Sequence, residues 1–151
     1  NHTGETVIMK HYYNLCIAVD TPNGLVGPVI MDVDSKSILQ LSEELTILSE
    51  NARSGQLKPS DLKGGTFTIS SLGGIGGSFF TPIINPPEVA ILGVSKSRWE
   101  QVFDPKSKEP ALRYIMPFSL SYDHRIIDGA AGARFTTELK KTIEELGFLS
   151  K

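Results

Sequence analysis

Ser119-Leu120-Ser121-Tyr122-Asp123-His124-Arg125-Ile126-Ile127-Asp128-Gly129 is the run on which the chain turns. It follows an apolar, strand-like segment, Ala111 to Leu120, and precedes a helical pattern beginning near Ala130. The switch from one pattern to the other predicts a strand-to-helix corner carrying His124. Asp128 sits where its carboxylate can cap the helix and favour its positive end. Asp123, Arg125 and Asp128 flank the histidine, and hydrogen bonds from such neighbours can fix an imidazole in one tautomer. An imidazole of ordinary pKa, about 6.5, is mostly neutral at pH 7. A neutral, oriented imidazole can act as a general base. The other reading is a hydrogen-bonded structural histidine at a helix cap, and the corner alone leaves both standing.

Working outward, Val7 to Lys10 and Tyr13 to Val19 are rich in β-branched, aromatic and apolar residues and predict two strand segments. Thr21-Pro22-Asn23-Gly24 supplies turn chemistry before apolar Leu25 to Met31, so a hairpin is expected, with Gly27 and Pro28 marking a bulge or an edge. Ile38, Leu41, Leu45, Leu48 and Ala52 recur at helical spacing, with Asp34 or Ser35 as the expected cap and Gly55 as the stop. Thr66 to Ser71 alternates like a strand, and the wholly apolar run Val89 to Val94 suits a central one. A polar turn from Asp104 to Pro110 joins Val102-Phe103 to the strand beginning near Ala111. Phe135, Leu139, Ile143 and Leu146 mark one face of a last helix. With strands outnumbering two long helices, the fold class is α+β with a mixed sheet.

The glycine cluster Leu72-Gly73-Gly74-Ile75-Gly76-Gly77 lacks the lysine and the following helix of a phosphate-binding loop, since Pro82, Pro86 and Pro87 intervene. Either it admits a ligand close to the backbone or it makes a tight turn.

The chain has 151 residues, one domain's worth, and carries 15 basic against 17 acidic side chains for a net charge of -2. No basic stripe exists to neutralise phosphates, which argues against nucleic acid. No apolar run reaches the roughly 18 residues of a membrane-spanning helix. Cys16 is the only cysteine, so an internal disulfide is excluded, and it reads as a small buried hydrophobe. His2 and His11 lack metal-ligand spacing, and no metal is expected.

DHRIIDG resembles the DHRxxDG signature of the dihydrolipoyl acyltransferases, the core components of the 2-oxoacid dehydrogenase complexes. The resemblance continues through AVDTPNGLVGPVI (Ala18 to Ile30), GGTFTISSLGGIGG (Gly64 to Gly77) and PIINPPEVAILGVSKS (Pro82 to Ser97). The last two spellings are most similar to bacterial pyruvate-type acetyltransferases. The resemblance implies a chloramphenicol-acetyltransferase-like fold and a homotrimer that builds a larger hollow core. It implies transfer of an acyl group, acetyl in a pyruvate dehydrogenase complex, between a dihydrolipoyl group and coenzyme A. A succinyl- or branched-chain sister enzyme, a non-catalytic core subunit and an antibiotic-modifying transferase are the alternatives.

By the same resemblance, His124 is the base and Ser70 the hydroxyl that stabilises the oxyanion. Ser71, its neighbour, is not separated from it by sequence. Asp128 holds the site's geometry, and Ser70 of one subunit faces His124 of the next. Coenzyme A enters as a substrate, and the lipoyl group rides on a separate domain outside this sequence. Partners are the decarboxylase and dihydrolipoyl dehydrogenase components, in bacterial cytoplasm or, in a eukaryote, the mitochondrial matrix. The family's catalytic domain is longer at its amino end. Residues 1–151 are therefore expected to be the carboxy-terminal part of one such domain, without the lipoyl and subunit-binding modules.

Overall fold

The structure, a computed structural model, describes residues 6–104 and 107–145. The strands are β1 (Leu15–Thr21), β2 (Gly24–Val26), β3 (Val29–Ile30), β4 (Phe67–Ser71), β5 (Ala90–Val94), β6 (Arg98–Phe103), β7 (Pro110–Ile115) and β8 (Phe118–Tyr122). The helices are α1 (Ile38–Arg53) and α2 (Gly129–Glu145), and short 3-10 turns occupy Val33–Ser35 and Pro59–Leu62. The main sheet has six strands in the order β2-β1-β4-β5-β8, with β3 also paired to β1. β1, β4 and β5 run parallel, whereas β8 returns antiparallel along β5. The α+β class with a mixed sheet is what the alternation of the chain leads one to expect.

β5 is the spine, with Ala90, Ile91, Leu92 and Gly93 all buried because it is paired on both sides and covered on both faces. β1 and β2 form the expected hairpin, closing at Thr21 opposite Gly24, where the Thr21 hydroxyl donates to the Gly24 carbonyl at 2.6 Å. Gly27-Pro28 interrupts this arm without shifting its register: Val19 pairs with Val26 on one side and Cys16 with Val29 on the other. The arm is an edge, as proline requires, but no bulge forms. A β-carbon on Gly27 would stand 2.5 Å from Cys16 Sγ, so the close approach of the two arms demands glycine there.

Three local expectations are corrected. Ser37, not Asp34 or Ser35, caps α1: its hydroxyl accepts from Gln40 N at 3.3 Å while its own N–H donates to Gln40 Oε1 at 2.8 Å, a capping box that the two earlier residues, inside or beside a 3-10 turn, cannot make. Val7 to Lys10 is not a strand, since no strand lies beside it to accept its ladder. Ala111 to Leu120 is two strands, split at Met116-Pro117, and Pro117 lacks the N–H that would continue the ladder. β7 then pairs with β6 in a separate two-stranded sheet while β8 joins the main one. α1 ends at Gly55 with φ +71°, as anticipated. Its Leu41, Leu45 and Leu48 are half-buried and Ala52 buried, but Ile38 faces outward. In α2, Gly132 is the buried position and Phe135 meets Phe67 at 5.9 Å, while Leu146 lies outside the described residues.

The sheet has two unlike faces. Phe67, Ile69, Leu92, Leu120 and Tyr122 share the face on which α2 rests. Cys16, Thr68, Ser70, Ile91, Gly93 and Ser119 share the other. That second face is covered by the segment after the glycine cluster: Ser119 Oγ donates to the Phe80 carbonyl at 2.5 Å, and Thr68 donates to the Glu88 carboxylate.

Candidate active site

His124 sits on the predicted corner. Asp123 N donates to the Val89 carbonyl at 2.8 Å, adding one rung past the end of β8. The Asp123 carbonyl accepts from Ile126 N and Ile127 N, both at 3.0 Å, so the chain bends at once. The Asp123 carboxylate accepts from Arg125 N at 3.0 Å, from Arg125 Nε at 2.9 Å and from Arg125 Nη2 at 2.6 Å. Those donors from Arg125 hold the Asp123 carboxyl down at about 2, so it stays ionised and the brace persists across the neutral range. At the far side of the turn, Asp128 Oδ1 accepts from Ala131 N at 2.6 Å and its carbonyl from Gly132 N at 3.0 Å. Asp128 is therefore the cap of α2, as the sequence predicts. The turn is fixed at both ends.

The imidazole between them is exposed and rests beside the Tyr122 ring at 5.8 Å. Tyr122 is itself wedged under α2, since a β-carbon on Gly132 would lie 2.8 Å from Tyr122 Cε1. Among the described residues no hydrogen bond is made to the imidazole, which leaves both ring nitrogens available to a ligand.

Ser70 is half-buried near the carboxy-terminal end of β4. Ala18, Gly93 and Ser119 occupy its row on the neighbouring strands, so it is bordered by small residues. Ser71 points to the opposite face, and its hydroxyl accepts from Gly73 N at 3.3 Å. The pair that sequence leaves unseparated is thus separated by structure: Ser71 is engaged in closing the turn and Ser70 is not. The glycine cluster is that turn, with the Leu72 carbonyl accepting from Ile75 N and Gly76 N, both at 2.9 Å, and with positive φ at Gly76 and Gly77.

His124 and Asp128 come together; Ser70 does not join them. β4 and β5 are parallel and β8 is antiparallel, so the end of β4 that carries Ser70 is the start of β8, and His124 follows the other end. At about 3.3 Å per residue along a strand and about 4.8 Å between strands, Ser70 and His124 of one chain lie on the order of 15 to 20 Å apart.

Two features were not visible in advance. One is Phe80, whose ring occupies the notch at Gly93; a glycine inside an otherwise apolar central strand is the available signal of such a close approach. The other is the buried pair of Thr68 and Glu88, which no local pattern announces. Among the described residues no group of three His, Cys, Asp or Glu side chains could hold a metal.

Residues 1–150 match the sequence model of the 2-oxoacid dehydrogenases acyltransferase (catalytic domain) family. The chain is 55% identical over 134 residues to the dihydrolipoyllysine-residue acetyltransferase component of the pyruvate dehydrogenase complex of Cupriavidus necator, covering 89% of this chain and 24% of that protein. It is 56% identical over 142 residues to the component of the same name from Haemophilus influenzae, covering 94% and 25%. It therefore spans about a quarter of the length of these relatives. A crystal structure of Azotobacter vinelandii dihydrolipoamide acetyltransferase superposes on all of this chain and 61% of its own, with a TM-score of 0.93 and 50% identity. That work concerns the role of a serine, a histidine and an asparagine in its catalytic mechanism. The cubic core of a pyruvate dehydrogenase multienzyme complex matches with the same TM-score, 0.93, at 50% identity, again over 100% of this chain and 61% of the other. The chain belongs to the acyltransferase (catalytic domain) family of the 2-oxoacid dehydrogenases.

Proposed function

We propose that this chain is part of the dihydrolipoyllysine-residue acetyltransferase of a pyruvate dehydrogenase complex, moving acetyl between a dihydrolipoyl group and coenzyme A. The observation that carries the reading is the exposed, unbonded imidazole of His124 on a turn braced by Asp123 and capped by Asp128. In the Azotobacter protein the histidine and asparagine under study stand four positions apart, as His124 and Asp128 do here.

His124 takes the proton from the attacking thiol of coenzyme A or dihydrolipoamide. The thiolate sulfur adds to the thioester carbonyl carbon, forming a carbon–sulfur bond and an oxyanion to which the Ser70 hydroxyl donates. Collapse breaks the other carbon–sulfur bond, and the departing thiolate recovers the proton from the imidazolium. Asp128 holds the turn and takes no proton.

Because Ser70 and His124 lie at opposite ends of one sheet, they can serve one thioester only if they come from two copies of the chain. This supports a homotrimer of the chloramphenicol-acetyltransferase type, built into a larger core that carries the decarboxylase and dihydrolipoyl dehydrogenase components. Lipoyl groups arrive on separate domains. The test uses the full-length protein: His124→Ala should lower acetyl transfer from acetyl-coenzyme A to dihydrolipoamide at least a thousandfold while sedimentation shows the core still assembled. An unchanged turnover overturns the proposal.

A further inference from the structure

Resting on the acyltransferase reading above, we infer that Tyr122, seated in a slot made under α2 by Gly129 and Gly132, is the shelf that orients the His124 imidazole for proton transfer. Three observations converge on this. Tyr122 is the last residue of β8, opposite Ala90, and its side chain projects to the face on which α2 rests. Gly129 and Gly132 lie in the first turn of that helix, where residues three apart share a face. A β-carbon on Gly132 would stand 2.8 Å from Tyr122 Cε1 and 3.2 Å from Tyr122 Cζ, and one on Gly129 would stand 3.9 Å from the Tyr122 hydroxyl, so the ring occupies the space that the missing side chain of Gly132 leaves. The His124 imidazole then rests beside this ring, with centroids 5.8 Å apart and planes inclined by 33°.

That separation lies within the roughly 4.5 to 7 Å over which aromatic rings attract, and the planes are nearer parallel than perpendicular. A ring-to-ring contact restrains the imidazole without using a nitrogen, so the nitrogens stay open to the thiols that lose and regain the proton. Asp123 and Asp128 fix the backbone of the turn through Arg125 and Ala131, whereas the contact to the imidazole itself comes from Tyr122. Placement of a reacting group matters steeply, since an error of about 1 Å can cost about a hundredfold in rate. Tyr122 is on this account a positioning residue that acts through His124, and Gly132 acts through Tyr122. The contact is between rings, so phenylalanine should serve where tyrosine does.

The experiment measures kcat and KM for acetyl transfer from acetyl-coenzyme A to dihydrolipoamide in the full-length assembled core. Tyr122→Leu removes the shelf and should lower kcat about tenfold or more, with KM within about twofold of the parent. Tyr122→Phe restores the ring and should recover kcat to within about threefold. Gly132→Ala keeps both rings but sets a methyl 2.8 Å from Tyr122 Cε1, where carbon atoms prefer about 3.5 to 4.0 Å, and should lower kcat about threefold or more although alanine is the better helix former. Once Tyr122→Leu has removed the ring, adding Gly132→Ala should change kcat by less than about twofold further, because the two act through one contact. If Tyr122→Leu does not assemble, Tyr122→Met takes its place in both measurements. Three results overturn the inference and leave the acyltransferase reading intact: an assembled Tyr122→Leu or Tyr122→Met core with kcat within twofold of the parent, a Tyr122→Phe core as slow as Tyr122→Leu, or losses from Tyr122→Leu and Gly132→Ala that multiply in full. A parent protein that transfers no acetyl overturns that reading first.

Discussion

Asp128 separates a cap from a proton carrier. Its carboxylate accepts from Ala131 N at 2.6 Å, satisfying one of the donors that the first turn of α2 would otherwise leave unpaired. Replacing such a cap by alanine costs about 1 kcal/mol, within a range of about 0.5 to 2, whereas asparagine caps nearly as well as aspartate. What Asp128→Asn gives up is the interaction of a charge with the helix end, about 0.3 to 1 kcal/mol where exposed. At an RT of about 0.59 kcal/mol, a 1 kcal/mol loss makes the first turn of α2 open about fivefold more often. Hydrogen exchange across residues 128–132 should therefore run about fivefold faster in Asp128→Ala, whereas in Asp128→Asn, at an ionic strength that screens the charge effect to about 0.3 kcal/mol, it should run about 1.7-fold faster. Turnover should follow the same order, because the cap anchors one end of the turn that holds His124. Asparagine should keep acetyl transfer within about twofold of the parent, and alanine should lose up to about fivefold, the factor that about 1 kcal/mol allows. If asparagine lowers turnover as far as alanine while exchange stays slow, the negative charge itself is required and the capping account is wrong.

Ser70→Ala should lower kcat by about 10² to 10³ with little change in KM, the usual loss on removing one oxyanion donor. Ser71→Ala, which removes only the acceptor of the Gly73 N–H, should stay within tenfold, and the opposite ranking would remove Ser70 from the mechanism. Glu88 gives a pH prediction. Burial pushes its carboxyl above the ordinary value of 4.5, while the Thr68 hydroxyl and Lys10 pull the other way. The folded chain then keeps this proton at pH values where the unfolded chain has lost it, so stability falls as pH rises from 4.5 through the folded pKa. Glu88→Gln cannot titrate, so its unfolding midpoint should match the parent's at pH 4 and exceed it at pH 7. A glutamine variant weaker than the parent at pH 7 would show that the ionised carboxylate stabilises the fold.

How much of this is legible in the sequence depends on the range of the forces involved. α1, α2, β4 and β5 are written locally, in apolar spacing and β-branching. Val7 to Lys10 has the same composition as a strand and forms none, because a strand is a relation between segments and its composition does not supply a partner. Ala111 to Leu120 shows the converse: apolar content suggests one element, while the missing N–H of Pro117 makes two and sends them to different sheets. The corner is legible because it is short. The side-chain bonds that brace the turn, from Asp123 to Arg125 and from Asp128 to Ala131, span two and three residues.

The place of Ser70 relative to that corner depends instead on strand direction. Had β8 run parallel to β5, the histidine following it would emerge at the end of the sheet where β4 finishes, and one chain could hold both groups. The hydrogen bonding from Ala90 opposite Tyr122 to Val94 opposite Phe118 fixes the antiparallel sense. The chain between β5 and β8 first forms the separate β6-β7 hairpin and then returns along β5 in the opposite sense. That sense holds the imidazole at the far end from the hydroxyl, and the proposed acyl transfer, which needs both at one carbonyl, has to draw the second group from another copy of the chain.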